Sequence, residues 1–173
     1  RWGWLPPPLV GEGKKVQSDW LHNFLLDPFP IRPAVVLRMP KFNMSPADAT
    51  ALVNYFAAVD GAEYPYDFDP RTRATYLAEQ NSLHPDRLGD ALKIVTDGNY
   101  CVKCHLIGDY NPPGSERAKA PHLDAVYKRV RPEWVRDWVA NPKRLLPYTG
   151  MPVNVPPDKP VSQALFKGTS EEQ

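Results

Sequence analysis

Cys101-Val102-Lys103-Cys104-His105 is the stretch on which the reading of this chain turns. It holds both cysteines of the 173 residues and one of the four histidines. Random placement of these residues would produce such a run on the order of once in several thousand shuffles, so it is read as a motif. Two cysteines about one helical turn apart can reach the same edge of a flat ligand, and the imidazole that follows can rise beneath that ligand's centre. The upstream sequence prepares the run. His84-Pro85-Asp86 resembles a helix start with proline in the first turn, and Leu88, Ala91, Leu92 and Val95 repeat at i, i+3, i+4 and i+7 before Gly98. This pattern predicts a short amphipathic helix that delivers the chain into the motif.

Cys-x-x-Cys-His is the attachment signature of c-type haem. The thiols of Cys101 and Cys104 would add across the porphyrin vinyl groups, with His105 as proximal ligand. Other chemistries are weighed against it. A thioredoxin-like dithiol requires a βαβ context, and no β-rich alternating segment surrounds the run. A zinc site needs a fourth ligand, usually from a second Cys/His pair, and none has suitable spacing. A Cys101–Cys104 disulfide would close a very small loop and add little stability, and with the free-thiol reading it is the main alternative.

The bulk numbers exclude several classes. Twenty-one Lys and Arg against twenty Asp and Glu leave a charge of +1, without the field that recruits nucleic acid or anionic membrane. A hydrophobic fraction of 42% supports a packed core. The longest nearly apolar stretch, Ala49 to Val59, carries Asn54 and is too short to span a bilayer, so no transmembrane segment is expected. No basic segment followed by an apolar run opens the chain, so any export signal is expected to have been removed or to lie outside it. The 21 prolines predict short helices joined by stiff connections. Gly11-Glu12-Gly13 lacks the third glycine and the strand context of a phosphate loop.

Downstream, Pro132 to Ala140 reads as a helix with Trp134, Val135, Trp138 and Val139 on its buried face, stopped at Asn141-Pro142. The run Asn141-Pro142-Lys143 through Pro147, Thr149 and Met151 resembles the distal loop of class I cytochromes c, with the same spacing from the Asn-Pro pair to the methionine. Met151-Pro152 and the Trp-rich helix are most similar to multidomain bacterial cytochromes c of respiratory assemblies. The resemblance implies an all-α, cytochrome c-like fold. It implies that Met151 is the distal ligand, Thr149 a hydrogen-bond donor to a haem propionate, and Trp138 an aromatic wall. It also implies that the Pro121 carbonyl accepts from the free ring nitrogen of His105. Between His105 and Pro121 the chain departs from the short members, because Ile107 to Lys119 is longer and polar. Met151 as a core filler and His122 as a rival distal ligand stay open. His22 and His84 are read as helix-face and helix-start residues.

An offset of 114 residues reveals a second, incomplete copy. It lays Leu9 on Leu123, Trp20 on Trp134, Leu21 on Val135, Phe24 on Trp138, Pro28 on Pro142 and Pro33 on Pro147. Met39-Pro40 then corresponds to Met151-Pro152, two residues later than the offset predicts. Residues 1–62 are therefore expected to be the methionine-bearing part of one cytochrome c domain, whose haem peptide is absent from this chain. Residues 63–83 form a connector with a helix from Arg71 to Gln80. Residues 84–173 form a second domain whose final helix starts at the capping signal Thr169 to Glu172 and goes no further. The first copy opens its own last helix at Ser45-Pro46-Ala47-Asp48, which runs to about Val59 with Gly61 behind it. Met39 could cover a second haem, or the first copy could be a haem-free interaction domain in which Met39 only packs. Trp2 and Trp4 suit a haem face or a subunit interface.

An iron with both axial positions filled leaves no room for substrate. The expected function is therefore one-electron transfer by a low-spin His/Met haem c, in a dihaem component of a respiratory or other oxidoreductase complex. Its partners would be redox proteins or sibling subunits, and its location periplasmic or otherwise extracytoplasmic. The alternatives are a dihaem peroxidase-like or dehydrogenase-linked subunit with a labile methionine, and a haem-stabilised interaction subunit.

Overall fold

Proline sets the starts of three helices. Pro46, Pro132 and Pro142 each stand in the first turn of one, where the missing N–H costs nothing. The computed structural model describes residues 6–62, 73–110, 119–154, 160 and 162–167. Among them are eight α-helices, one 3-10 turn and two isolated β-bridges, with no extended strand. The all-α expectation holds.

Residues 12–60 supply the best-formed core. Helices α1 (Glu12–Lys15), α2 (Ser18–Leu26) and α3 (Pro46–Asp60) enclose Val16, Leu21, Leu25, Ala49 and Val53, with Trp20, Leu26, Met44, Leu52 and Phe56 packed around them. Helix α3 starts on a reciprocal cap. The Ser45 hydroxyl accepts from the Asp48 N–H at 3.2 Å, and the Asp48 carboxylate accepts from the Ser45 N–H at 3.0 Å. It ends at Gly61, whose φ of +60° turns the chain and lets its N–H reach the Ala57 and Ala58 carbonyls.

Hydrogen bonds from Ser45 hold the Asp48 carboxyl below its ordinary range. A carboxyl lowered by folding stabilises at neutral pH, and that stability fades as pH falls through the lowered value. Ser45→Ala is therefore expected to cost about 1 kcal/mol in urea unfolding at neutral pH. The gap to the wild-type protein should narrow in the acid range, where Asp48 loses its charge.

Helices α4 (Ala74–Leu83) and α5 (Arg87–Thr96) follow. Helix α4 ends three residues beyond the expected Gln80, because the first residue that a proline restricts is His84. Helix α5 forms, but it begins at Arg87 after Asp86, so Pro85 precedes it and does not stand in its first turn. His84 is the C-cap of α4 and not a helix start. The stripe of α5 is not buried: Leu88 is 63% and Leu92 56% exposed. The helix instead meets the 3-10 turn Cys101–Lys103, and its half-buried residues Ile94 and Val95 lie at that end. Helices α6 (Val126–Arg129), α7 (Pro132–Ala140) and α8 (Pro142–Leu145) complete the described chain. The expected face of α7 is half-buried, not buried, in keeping with two indoles too large for full enclosure.

The bounds of α1 and α2, moved by 114 residues, are those of α6 and α7. These equivalent segments also pair with each other. Val16 and Val130 form an antiparallel bridge and are both buried. The Gln17 N–H donates to the Arg129 carbonyl at 2.9 Å, and the Arg131 N–H donates to the Lys15 carbonyl at 3.0 Å. Side chains repeat the exchange: Gln17 Nε2 donates to the Val130 carbonyl at 3.1 Å and Arg131 Nε to the Val16 carbonyl at 3.0 Å. Lys15 lies 5.9 Å from the Trp134 ring and Arg129 5.9 Å from the Trp20 ring. Each of these contacts has a counterpart with roles reversed, as in an approximate two-fold junction, while Gln17 Nε2 donates in addition to the Tyr127 carbonyl at 2.7 Å. The expected connector Glu63–Pro70, Trp2, Trp4 and the capping signal Thr169–Glu172 lie outside the described residues.

Candidate functional site

The motif folds as a tight turn. The N–H groups of Cys104 and His105 both reach the Cys101 carbonyl, at 3.1 and 2.9 Å, and Val102 is buried beneath. Both cysteines are half-buried free thiols. Burial pushes the Cys101 thiol above its ordinary value, which keeps it protonated.

The chain then returns alongside the motif. The Ala120 N–H donates to the Cys104 carbonyl at 2.7 Å and the Leu123 N–H to the Leu106 carbonyl at 3.0 Å. This register puts the Pro121 carbonyl 2.6 Å from His105 Nδ1. A carbonyl only accepts, so Nδ1 carries the proton and Nε2 presents its lone pair. Burial holds the imidazole below the ordinary histidine range; the Pro121 hydrogen bond opposes this, and the nearby charge of Arg129 reinforces it. A neutral imidazole with one nitrogen anchored and the other free is the state that a metal ligand requires.

The methionine side of the site is built from α7 and the loop behind it. Asn141 stops α7 and accepts from the Arg144 N–H at 3.2 Å, starting α8 with the buried Pro142 behind it. The turn through Leu146 closes with the Thr149 N–H on the Leu146 carbonyl at 3.0 Å. The Thr149 hydroxyl accepts from the Met151 N–H at 3.2 Å, which leaves its own proton free to donate. This doubling back brings Met151 to Trp138, whose Nε1–H donates to the sulfur at 2.8 Å. Trp138 is stacked on Trp134, with ring centroids 4.9 Å apart and planes 14° from parallel.

The other candidates are placed less tightly. Met39 is 39% exposed, between exposed Leu37 and Phe42. His122 and His84 are exposed, and His22 Nε2 lies 3.4 Å from the Pro46 carbonyl. Among the described residues, no three His, Cys, Asp or Glu side chains converge to hold a bare metal ion. A haem iron asks for only one of these, together with a thioether.

Sequence reasoning missed Arg129. Burial lowers its guanidinium from the ordinary arginine value, with the Glu12 charge opposing, and the group lies over Trp20 and within reach of His105 by charge. The signal was present: Lys15 and Arg129 are basic at equivalent positions of the repeat.

Comparison with protein-family models, with curated proteins and with solved structures finds no match. The functional reading therefore rests on this chain's own residues.

Proposed function

We propose that this chain is an electron-transfer cytochrome c that carries a low-spin haem bound covalently through Cys101 and Cys104. His105 and Met151 would be its axial ligands. The observation that carries the reading is the state of the motif: two free thiols in one turn, followed by a neutral imidazole whose Nδ1 is tied to Pro121. These residues fit the group in their chemistry. The thiols have the spacing that thioether attachment needs, and Nε2 is the nitrogen left for iron. Met151 supplies a soft, neutral donor that favours the ferrous state. Trp134 and Trp138 supply an apolar wall that penalises the extra charge of the ferric state. Thr149 keeps a hydroxyl proton for a propionate. The haem, when bound, supplies one-electron chemistry.

Residues 1–62 offer Met39 to a second haem of the same kind. They contain no cysteine, so the attachment peptide for that haem would come from elsewhere. The repeated helices and the reversible junction support reading the chain as two related cytochrome c units. The partners would be redox proteins or subunits of an oxidoreductase assembly, in an extracytoplasmic compartment where thioether attachment occurs. Among the described residues no helix is long and apolar enough to cross a membrane.

An absorption spectrum tests the proposal. The reduced protein should give the sharp alpha band of low-spin haem c, and the oxidised protein the weak long-wavelength band of iron–methionine ligation. Carbon monoxide should not bind rapidly at neutral pH. A high-spin spectrum with immediate carbon monoxide binding would contradict the assignment of Met151.

A further inference from the structure

We infer that the loop of residues 34–43 docks this chain on an anionic phospholipid surface, its apolar side chains entering the bilayer interface and its cations meeting lipid phosphates. The inference goes beyond the haem reading and does not rest on it.

Residues 36–43 are exposed without a break. Val36 is 71%, Leu37 41% and Phe42 59% exposed. Single apolar side chains at a surface need no explanation, but several on one short loop form the kind of patch that marks a binding surface. Charge says what it binds. From Pro28 to Ala47 the chain carries Arg32, Arg38 and Lys41 and no acid, whereas the whole chain has a net charge of only +1. The overall charge supplies no field for an anionic membrane; the loop supplies one locally. Arg38 Nη1 donates to the neighbouring Leu37 carbonyl at 3.1 Å. Lys41 reaches Asp27 at 2.9 Å, an exposed pair that water weakens and that a lipid phosphate can replace.

The backbone favours a bilayer over a folded protein as the occupant. Residues 35–45 form neither helix nor strand, so the apolar side chains follow no register that a groove or a sheet edge could match. Pro33 and Pro40 lack the N–H groups with which a partner strand would pair. A bilayer interface asks for no register. It needs apolar side chains that sink roughly 5–10 Å into the headgroup boundary, flanked by cations that stay among the phosphates. The prolines also stiffen the loop, so less freedom is lost on docking. Where the other unit has Tyr148-Thr149-Gly150, tied back by the Thr149 N–H on the Leu146 carbonyl, this one has the longer, apolar run of residues 34–38.

The experiment uses the full chain and vesicles of dioleoylphosphatidylglycerol and dioleoylphosphatidylcholine at a ratio of about 3:7. Wild-type protein should co-sediment with them, bind about tenfold more weakly to dioleoylphosphatidylcholine alone, and be released by high salt. Arg38→Gln should weaken binding about fivefold, and the triple variant Arg32→Gln/Arg38→Gln/Lys41→Gln about a hundredfold. Val36→Asp/Leu37→Asp should abolish it. Lys93→Gln, at an exposed cation of α5, should bind as the wild type does. On the anionic vesicles, amide hydrogen exchange of wild-type protein should slow in the peptide covering residues 34–44 and stay unchanged in α5. That measurement decides the matter even if a variant does not fold.

Wild-type protein that ignores anionic vesicles would overturn the inference, as would equal binding to both kinds of vesicle or binding that survives in both loop variants. A dimer in solution that Val36→Asp/Leu37→Asp dissolves, without vesicle binding, would assign the loop to a second copy of this chain. Protection of residues 34–44 by attached haem, with nothing added by vesicles, would assign it to the haem. Either result would also overturn the inference, and neither would touch the assignment of Cys101, Cys104 and His105.

Discussion

Met151→Ala is expected to lower the reduction potential of the haem-loaded chain and to open its distal side to carbon monoxide and cyanide without a lag. The thioether is the soft neutral donor that lies against Trp138, and its preference for ferrous iron is lost with it. The methyl of alanine cannot reach where the sulfur stood, and the loop that holds residue 151 is tied by the Thr149 and Asn141 hydrogen bonds. We expect the ferrous-to-ferric ratio at fixed ambient potential to fall by about two powers of ten, roughly 120 mV at 59 mV per tenfold. Redox titration and stopped-flow carbon monoxide binding measure the two effects. An unchanged potential together with an unchanged spectrum would remove Met151 from the ligand set.

Gly13→Ala should be the most damaging single methyl in residues 12–60. A Cβ on Gly13 would stand 2.3 Å from the Phe56 carbonyl oxygen and 2.6 Å from its carbon, both backbone atoms of α3. In an open helix, alanine in place of glycine gains about 0.5–1 kcal/mol. Here the contact decides the sign, because α1 must move off α3 to admit the methyl. That movement stretches the Gly13 N–H bond to Asp60 Oδ2, now 2.7 Å, and disturbs the core around Val16. Overpacking of this kind costs about 3 kcal/mol, which for a chain of this length lowers the melting temperature by roughly 10 °C. Calorimetry or thermal circular dichroism checks it. A variant as stable as the wild type would show that α1 and α3 do not approach this closely.

Helices bounded by proline were the most legible part of the chain. Pro132 and Asn141-Pro142 bracket α7, and its observed span is the expected one. Ser45-Pro46 and Gly61 bracket α3 with equal clarity, since cap, first turn and left-handed stop are each encoded by residue type. Helix α4 was misplaced because Arg71 to Leu83 offers no cap at its start, and only His84-Pro85 marks its end. The Leu88 and Leu92 stripe was legible as a helix face but not as an exposed one, because periodicity reports which residues share a face and not what covers it.

Of the candidate site, Cys101, Cys104 and His105, which the structure gathers in one turn, were legible as a motif from residue type and spacing alone. The Trp138 bond to Met151 was not, since a bulky aromatic on a helix face reads as a wall whether or not its N–H finds a partner. Nor was the junction, because its groups accept and donate largely through the backbone of residues 15–17 and 129–131, which leaves no mark on hydrophobic periodicity. Gly13 was read only against phosphate loops, although its role is to let two backbones meet.

The claim beneath all of this is that a porphyrin is joined to the chain at two sulfurs. Mass spectrometry of the proteolytic peptide spanning residues 101–105, taken from native protein after acid–acetone extraction, tests it most directly. The account predicts a coloured peptide heavier than its sequence by one haem, with fragmentation placing the addition on Cys101 and Cys104. A colourless peptide at its unmodified mass, with two alkylatable thiols, would contradict it.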